Sequence, residues 1–159
     1  MPLIIPSNSQ SSSTYTIDQS IRFNKDDTPY MTRTPSGDGN RKKWTLSWWE
    51  KRGRNVAVTN GNEYTFHTSP AGANPASYIY NYNNLPYYWE AGNTYIASDP
   101  IRDPAAWYNI TVSYDSANVI ALERIRLFIN GNRITRFSTY GGLTLNQDSY
   151  WNSATAHYI

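Results

Sequence analysis

The feature that most constrains the fold of this sequence is a series of short alternating runs. In each run successive residues belong to opposite faces of a predicted strand, and turn-forming residues separate one run from the next. The clearest run places Trp44, Leu46 and Trp48 on one face and Thr45, Ser47 and Trp49 on the other. Residues 20–23 form the first such run, and residues 29–33 are its predicted partner. Similar runs recur about every 8–15 residues, which is typical of a sandwich or a barrel. The sequence therefore predicts an all-β fold, a single antiparallel β-sandwich.

Two Asn-Gly pairs, Asn60-Gly61 and Asn130-Gly131, each lie between two alternating runs. A tight hairpin needs positive φ at both turn residues, and Asn followed by Gly adopts this conformation readily. We therefore predict two hairpins, the second of which continues into a strand at 133–137. Residues 121–124 are compatible with one helical turn, but the alternation that begins at Glu123 favours a strand before the second hairpin.

The first part of the chain differs in composition from the rest. Leu3, Ile4 and Ile5 lie between two prolines, and a tract of Ser, Thr, Asn and Gln follows them. This composition predicts an N-terminal arm over residues 1–19 and a sandwich over residues 20–159. The arm is either a disordered N-terminus or a tether whose three apolar residues attach to a neighbouring subunit.

Composition excludes several classes of protein. The 159 residues include no cysteine, which rules out a disulfide framework and a thiolate metal site. The net charge of +2 is too small to indicate nucleic-acid binding, and neither a secretory leader nor a membrane span is predicted. Basic residues at 41–43 and 51–54 bracket one strand and are interpreted as a solvated rim, with an acidic partner surface as the alternative.

Residues suited to catalysis or metal binding are sparse. His67 and His157 are the only histidines, and the glutamates stand alone in the sequence, so the carboxylate pair of a glycosidase is not evident. We predict that the chain is not an enzyme and holds no cofactor. Asp99 and Asp103 lie in a proline-containing loop, where turn formation is favoured and a calcium site is the alternative.

An aromatic stretch is the most unusual local feature of the sequence. Its rings are Tyr78, Tyr80, Tyr82, Tyr87, Tyr88, Trp89 and Tyr95, and asparagines are interspersed among them. Three interpretations stay open, which are packing within the chain, a subunit interface and a platform for glycans. For an interface or a glycan site, the candidate residues are Tyr80, Tyr82, Tyr87, Tyr88 and Trp89.

Several segments carry a resemblance to a known family, with shorter matches at residues 20–24, 110–115, 151–152 and 157–159 beside three longer ones. The longer ones are Arg33-Thr-Pro-Ser-Gly-Asp-Gly-Asn-Arg-Lys-Lys-Trp-Thr45, Arg102-Asp-Pro-Ala-Ala-Trp-Tyr108 and Arg124-Ile-Arg-Leu-Phe-Ile-Asn-Gly131. The first resembles a signature of marine bacteriophage virion proteins that carry a concanavalin A-like lectin domain, also called laminin-G-like. The second and third are similar to the central strand of that domain and to the hairpin that follows it. The resemblance covers about residues 20–159 and implies a concanavalin A-like jelly roll in a virion.

The sequence departs from the family pattern in two places. Asn109 stands where related sequences often have His, and the chain stops at Ile159, before further strands that the family usually has. The sandwich is then incomplete, completed by a partner, or part of a longer chain. The resemblance carries over no sugar-binding or calcium-binding residue, because a fold alone does not define a ligand.

The resemblance and the composition together lead to one expected function. We expect a bacteriophage virion structural protein on the particle exterior, either a head decoration or knob or a fibre-like tail appendage. Its partners are then other capsid or tail proteins, with a homo-oligomer as an option, and it docks through Leu3, Ile4 and Ile5 and one sandwich face. The alternative is a host-recognition module that binds cell-surface glycans through the aromatic stretch.

Overall fold

The computed structural model describes residues 20–24, 27–53, 63–69 and 77–159. The chain divides into two compact units, Met1–Tyr30 and Met31–Ile159, and each described strand lies in the second unit. The strand predicted at 20–23 is wrong, because these residues form no strand. Its predicted partner segment pairs elsewhere, since Thr32–Arg33 lies beside the strand Ala156–Tyr158 near the other end of the chain.

The described residues contain eleven strands in two antiparallel sheets. The strands are β1 (Thr32–Arg33), β2 (Lys43–Glu50), β3 (Glu63–Ser69), β4 (Ser77–Tyr82), β5 (Leu85–Glu90), β6 (Asn93–Ala97), β7 (Tyr108–Asp115), β8 (Ile125–Ile129), β9 (Asn132–Arg133), β10 (Phe137–Tyr140) and β11 (Ala156–Tyr158). The larger sheet has the order β1-β11-β3-β4-β5-β6-β10, and the smaller sheet has the order β2-β7-β8-β9. The predicted all-β antiparallel sandwich is confirmed.

A hydrophobic core lies between the two sheets. Its buried side chains are Ile79, Tyr88 and Tyr95 from the larger sheet, Val112, Tyr114, Ile125 and Leu127 from the smaller sheet, and Leu143 and Trp151 from the segment before β11. Trp44 packs against this core and stacks on Tyr114 with ring centroids 5.1 Å apart. Burial of each large apolar side chain contributes about 1.5–3 kcal/mol, so the inward faces hold the sheets together.

The second predicted hairpin is confirmed. Asn130 and Gly131 have φ values of 50° and 77°, as a tight turn between twisted strands requires. A single 3-10 turn, Ala121–Glu123, precedes β8. The return strand is shorter than predicted, because Phe137 pairs with Ala97 in the larger sheet instead of extending β9. The hairpin predicted at Asn60-Gly61 lies outside the described residues.

In the described part of the chain, no helix has the length and apolar character needed to cross a membrane.

Candidate functional site

The outer side of the larger sheet carries a continuous group of aromatic side chains, which we call the aromatic layer. It consists of Tyr64 and His67 from β3, Tyr78, Tyr80 and Tyr82 from β4, Tyr87 and Trp89 from β5, and Tyr158 from β11. On β4 the intervening Ile79 belongs to the core, so period-two alternation turns the tyrosines outward. The aromatic layer is therefore a consequence of strand geometry.

Rings of the aromatic layer contact one another across neighbouring strands. Tyr78 stacks on Trp89 with ring centroids 4.9 Å apart and ring planes 2° apart, because these two residues are register partners. Tyr80 and Tyr87 are also register partners, and their ring centroids are 4.3 Å apart. As a result Tyr80 is only 6% exposed although it lies on the outer side of a sheet. The ring faces are thus engaged largely with each other.

Tyr88 does not belong with the other predicted interface residues. It points into the core and is 1% exposed, so the expectation that it contacts a glycan or a partner is not supported by its position. Strand β5 alternates between Tyr87 and Trp89 outward and Tyr88 and Glu90 inward. Tyr80, Tyr82, Tyr87 and Trp89 do lie together in the aromatic layer.

Three titratable groups of the aromatic layer, Tyr78, Tyr80 and His67, favour their neutral forms. Burial, with a contribution from neighbouring tyrosines, raises the pKa of Tyr78 to about 12. The pKa of Tyr80 is raised further for the same reasons. Burial also lowers the pKa of His67, which disfavours its protonated form. These three residues therefore contribute little charge to the layer at neutral pH.

Glu90 is a buried carboxylate that sequence reasoning did not single out. It has no exposed surface and accepts hydrogen bonds from the Tyr88 hydroxyl, from Ser77 Oγ at 2.6 Å, from Ser149 Oγ at 3.0 Å and from the Tyr150 backbone N–H at 3.1 Å. Burial raises the pKa of Glu90, although these hydrogen bonds act in the opposite direction. Glu90 thus links β4 and β5 to the segment that precedes β11.

Other carboxylates are engaged in contacts that stabilise loops and strand ends. Glu50 accepts hydrogen bonds from Trp48 Nε1 at 2.9 Å and from Asn81 Nδ2 at 3.2 Å. Asp99 pairs with Arg136 at 3.2 Å, and Asp103 accepts a hydrogen bond from the Ala105 backbone N–H at 2.8 Å. Among the described residues, no group of three or more His, Asp or Glu side chains has the arrangement of a metal site.

Three of the basic residues at the two ends of β2 have partners within the chain. Lys43 Nζ lies 3.1 Å from Asp115, and Arg41 Nε donates to the Ser149 carbonyl at 2.7 Å. Arg52 donates to Asn84 Oδ1 at 3.1 Å and to the carbonyl of Ile101. These contacts fit the interpretation of a rim, and the alternative of an acidic partner surface stays a prediction.

The outer side of the smaller sheet carries a shallow pocket of about 540 Å³, which we call the tryptophan pocket. Its lining residues are Trp49, Trp107, Asn109, Asn130 and Gly131. Trp49 is 56% exposed and Trp107 is 51% exposed, the opposite of the ring burial in the aromatic layer. Within the described part of the chain, no other aromatic ring stacks on either indole. The two indoles therefore have ring surface available to a ligand.

Backbone pairing positions the polar residues of the tryptophan pocket. Trp49 on β2 is the register partner of Asn109 on β7, and the Asn130 N–H donates to the Asn109 carbonyl at 2.8 Å. In return Asn130 Oδ1 accepts a hydrogen bond from the Asn109 N–H at 2.9 Å. The Asn109 amide donates to the Trp48 carbonyl at 3.2 Å and to Ser47 Oγ at 3.3 Å. Both amide side chains are thus held in place by contacts within the sheet.

Sequence reasoning missed this pocket although one signal was present. Trp49 is assigned by alternation to the polar side of β2, where it accompanies Thr45 and Ser47. A tryptophan on a polar strand face is a candidate contact residue.

The predicted attachment residues Leu3, Ile4 and Ile5 lie outside the described residues.

No protein-family model matches the sequence, and a search of curated proteins finds no match. The fold and the two surfaces therefore define the class of this protein as an all-β sandwich with one self-packed aromatic surface and one exposed tryptophan pocket.

Proposed function

We propose that this chain is a bacteriophage virion structural protein that lies on the particle exterior. It has a concanavalin A-like jelly roll, performs no catalysis, and serves as a head decoration or knob or as a fibre-like appendage. The segments at 33–45, 102–108 and 124–131 support the virion context through their resemblance. The observation that carries the attachment mechanism is the aromatic layer on the larger sheet.

The aromatic layer suits a protein partner better than a sugar. A sugar ring stacks on the face of an aromatic ring, but Tyr78 and Trp89 occupy each other's faces at 4.9 Å. The remaining surface consists of ring edges and tyrosine hydroxyls, which pack against apolar side chains and exchange hydrogen bonds with a backbone. Aromatic residues with few charges are typical of the centre of protein interfaces. We therefore assign the layer to contact with a capsid or tail protein.

The arm is the second part of the proposed attachment. Leu3, Ile4 and Ile5 would insert into a neighbouring subunit, and the aromatic layer would contact a capsid or tail protein of the same particle. Such a two-part contact raises the effective concentration of each part for the other, so each part can be weak by itself.

Particle incorporation tests this proposal directly. The chain should be detected by mass spectrometry in purified particles of the virus that encodes it, and cryo-electron microscopy should place it on the exterior. Many copies on the capsid lattice would indicate decoration, and a few copies at the tail would indicate an appendage. A chain absent from purified particles would refute the proposed function.

Matched variants separate the two sheets. We expect Tyr87→Ser with Trp89→Ser to reduce incorporation of a tagged chain about tenfold, because interface aromatics dominate binding energy. The control is Trp49→Ser with Trp107→Ser, which changes two aromatic rings on the other sheet and should incorporate normally. Circular dichroism establishes that both variants are folded. Normal incorporation of the Tyr87 and Trp89 variant, and of a chain without residues 2–14, would contradict the attachment mechanism.

A further inference from the structure

We propose that strand β2 binds an extended, acidic-ended segment of another protein chain, which adds to the smaller sheet as a further strand. β2 is the terminal strand of the order β2-β7-β8-β9, so only one of its sides is paired within that sheet. We call the side that faces away from β7 the open edge. This inference goes beyond the proposed attachment, which uses the arm and the outer side of the larger sheet.

Alternate residues of β2 direct their backbone groups toward the open edge. Asn109 on β7 exchanges hydrogen bonds of 2.8 Å and 2.9 Å with Asn130, so its backbone N–H and C=O face away from β2. Its register partner Trp49 therefore directs its own N–H and C=O away from β7, and alternation extends this to Ser47 and Thr45. Within the described part of the chain, these backbone groups of β2 have no hydrogen-bond partner. An added strand would pair with all of them.

The core is incompletely covered at the open edge. Trp44, Leu46 and Trp48 point inward on β2 and pack against the core, but each is only half-buried. Their register partners on β7 are all buried, and Val112, the partner of Leu46, is 1% exposed. A further strand with apolar residues on its inward side would remove this remaining apolar surface from water.

β2 lacks the features that commonly protect an exposed edge from pairing. Its register with β7 runs from Lys43 to Glu50 without a bulge. Between Trp44 and Trp49 the sequence contains no proline and no charged residue. Bulges, prolines and charged side chains are the usual means by which an edge strand avoids unwanted partners. The backbone of β2 is therefore accessible to a partner strand along the length of the open edge.

Charge at the two ends of β2 selects the class of partner. Lys42 and Lys51 flank the strand and are exposed, and no ion pair involves either of them in the described part of the chain. The span between these two residues is about 30 Å long in an extended strand. A segment of this length with acidic residues at both ends would place opposite charges beside both lysines. This pairing gives a role to the basic residues that bracket β2.

A second copy of β2 fits the open edge less well than an acidic segment does. Antiparallel pairing of two copies would bring residues 41–43 of one copy near Lys51 and Arg52 of the other, and like charges across a strand pair are destabilising. Glu50 does not offset this repulsion fully, because its carboxylate already accepts hydrogen bonds from Trp48 Nε1 and Asn81 Nδ2.

Amide hydrogen exchange with a defined peptide tests the proposal. The probe is Asp-Asp-Val-Thr-Ile-Thr-Val-Thr-Asp-Asp with both ends blocked, and the comparison peptide has Lys at every Asp. In the free protein, the N–H groups of Thr45, Ser47 and Trp49 should exchange quickly, whereas those of Leu46 and Trp48 are bonded to β7 and should exchange slowly. The acidic peptide should slow the first group at least about tenfold and leave the second group unchanged, and the Lys peptide should do neither.

Charge reversal supplies matched variants. Lys42→Glu with Lys51→Glu should weaken binding of the acidic peptide about tenfold and should allow the Lys peptide to bind. The control is Arg33→Glu with Arg136→Glu, which makes the same change in net charge at exposed residues of the larger sheet and should leave both affinities nearly unchanged.

Methylated peptides test the geometry without any change in the protein. If the apolar side chains of the peptide face inward beside Leu46, the N–H groups of its threonines point toward β2. N-methylation of the threonines should therefore abolish binding, whereas N-methylation of Val and Ile should be tolerated. Equal loss with both methylated peptides would contradict strand addition.

Other contrary results also overturn the inference. Slow exchange of Thr45 and Ser47 in the free protein would mean that the chain itself covers the open edge. Exchange that slows as protein concentration rises would mean that a second copy occupies it. Failure of the acidic peptide to bind at up to about 1 mM, or unchanged binding in the charge-reversed variant, would exclude an acidic partner at this edge.

Discussion

The outer surfaces of the two sheets use aromatic residues in opposite ways. On the larger sheet, rings from neighbouring strands contact one another, and Tyr80 is 6% exposed in the middle of them. On the smaller sheet, Trp49 and Trp107 are each more than half exposed beside polar neighbours. The number of aromatic residues on a surface is therefore a poor guide to its ligand. What matters is whether the ring faces are already occupied.

The same contrast predicts how substitutions on each outer surface affect the stability of the protein. A ring that packs against its neighbours contributes to folding whether or not a partner is present. A ring that is more than half exposed buries less apolar surface and therefore contributes less to folding. We expect substitutions in the aromatic layer to change stability as well as partner contact, and substitutions of the exposed indoles in the tryptophan pocket to change stability little.

The largest effect should come from Tyr80→Ala. This change removes a buried ring that contacts Tyr87 at 4.3 Å, and we expect a loss of about 3 kcal/mol in the free energy of unfolding. Trp49→Ala removes a larger but exposed ring and should change that free energy by less than about 0.5 kcal/mol. Urea unfolding measures both values. Equal losses for the two variants would mean that the two surfaces do not differ as described.

The hairpin turns should behave alike in both sheets. Asn84 in the larger sheet and Asn130 in the smaller sheet have φ values of 62° and 50°, and each side-chain oxygen accepts a hydrogen bond. Alanine at either position should cost about 2 kcal/mol, from the left-handed backbone and from the lost hydrogen bond. Glycine should restore about half of that loss because it tolerates positive φ. Unfolding curves of the four variants check this, and a turn insensitive to alanine would be evidence against its described conformation.

A smaller effect should appear in alkaline solution. The pKa of Tyr78 is raised from 10.0 to about 12, so between these values the unfolded chain loses a proton that the folded chain keeps. Stability from this group is therefore complete below about pH 10 and is lost as the pH rises toward 12. Tyr78→Phe should flatten the decline of the unfolding midpoint in this range, whereas Trp49→Phe, in the other surface, should not. If the unfolding midpoint of Tyr78→Phe declined as steeply with pH as that of the unmodified protein, the alkaline loss of stability would not come from Tyr78.

Alternation in the sequence predicted strands well but did not predict which side of a strand faces inward. On β4, Ser77 and Asn81 are buried with Ile79, while three tyrosines point outward. Both faces of this strand combine apolar and polar groups, so composition could not decide between them. The inward position of Tyr88 could not be predicted for the same reason, since β5 carries aromatic residues on both of its sides.

Features that depend on distant parts of the chain could not be predicted from local patterns. Local alternation predicts that residues 29–33 pair with residues 20–23, but Thr32 is the register partner of Tyr158. Glu90 gave no signal, because two of its hydrogen-bond donors are Ser149 and Tyr150. By contrast, the turn at Asn130-Gly131 could be predicted because two adjacent residues adopt the positive φ values that the turn requires.

Glu90 has a consequence for the order in which the protein assembles. Its donor Ser77 is 13 residues away along the chain, whereas Ser149 and Tyr150 are 59 and 60 residues away. If the core closed before the segment that contains Ser149 and Tyr150 had docked, the Glu90 side chain would be buried with only part of its hydrogen bonds. Burying a polar group without its partners costs free energy. Docking of the distant segment is therefore coupled to closure of the core, and this long-range step slows folding.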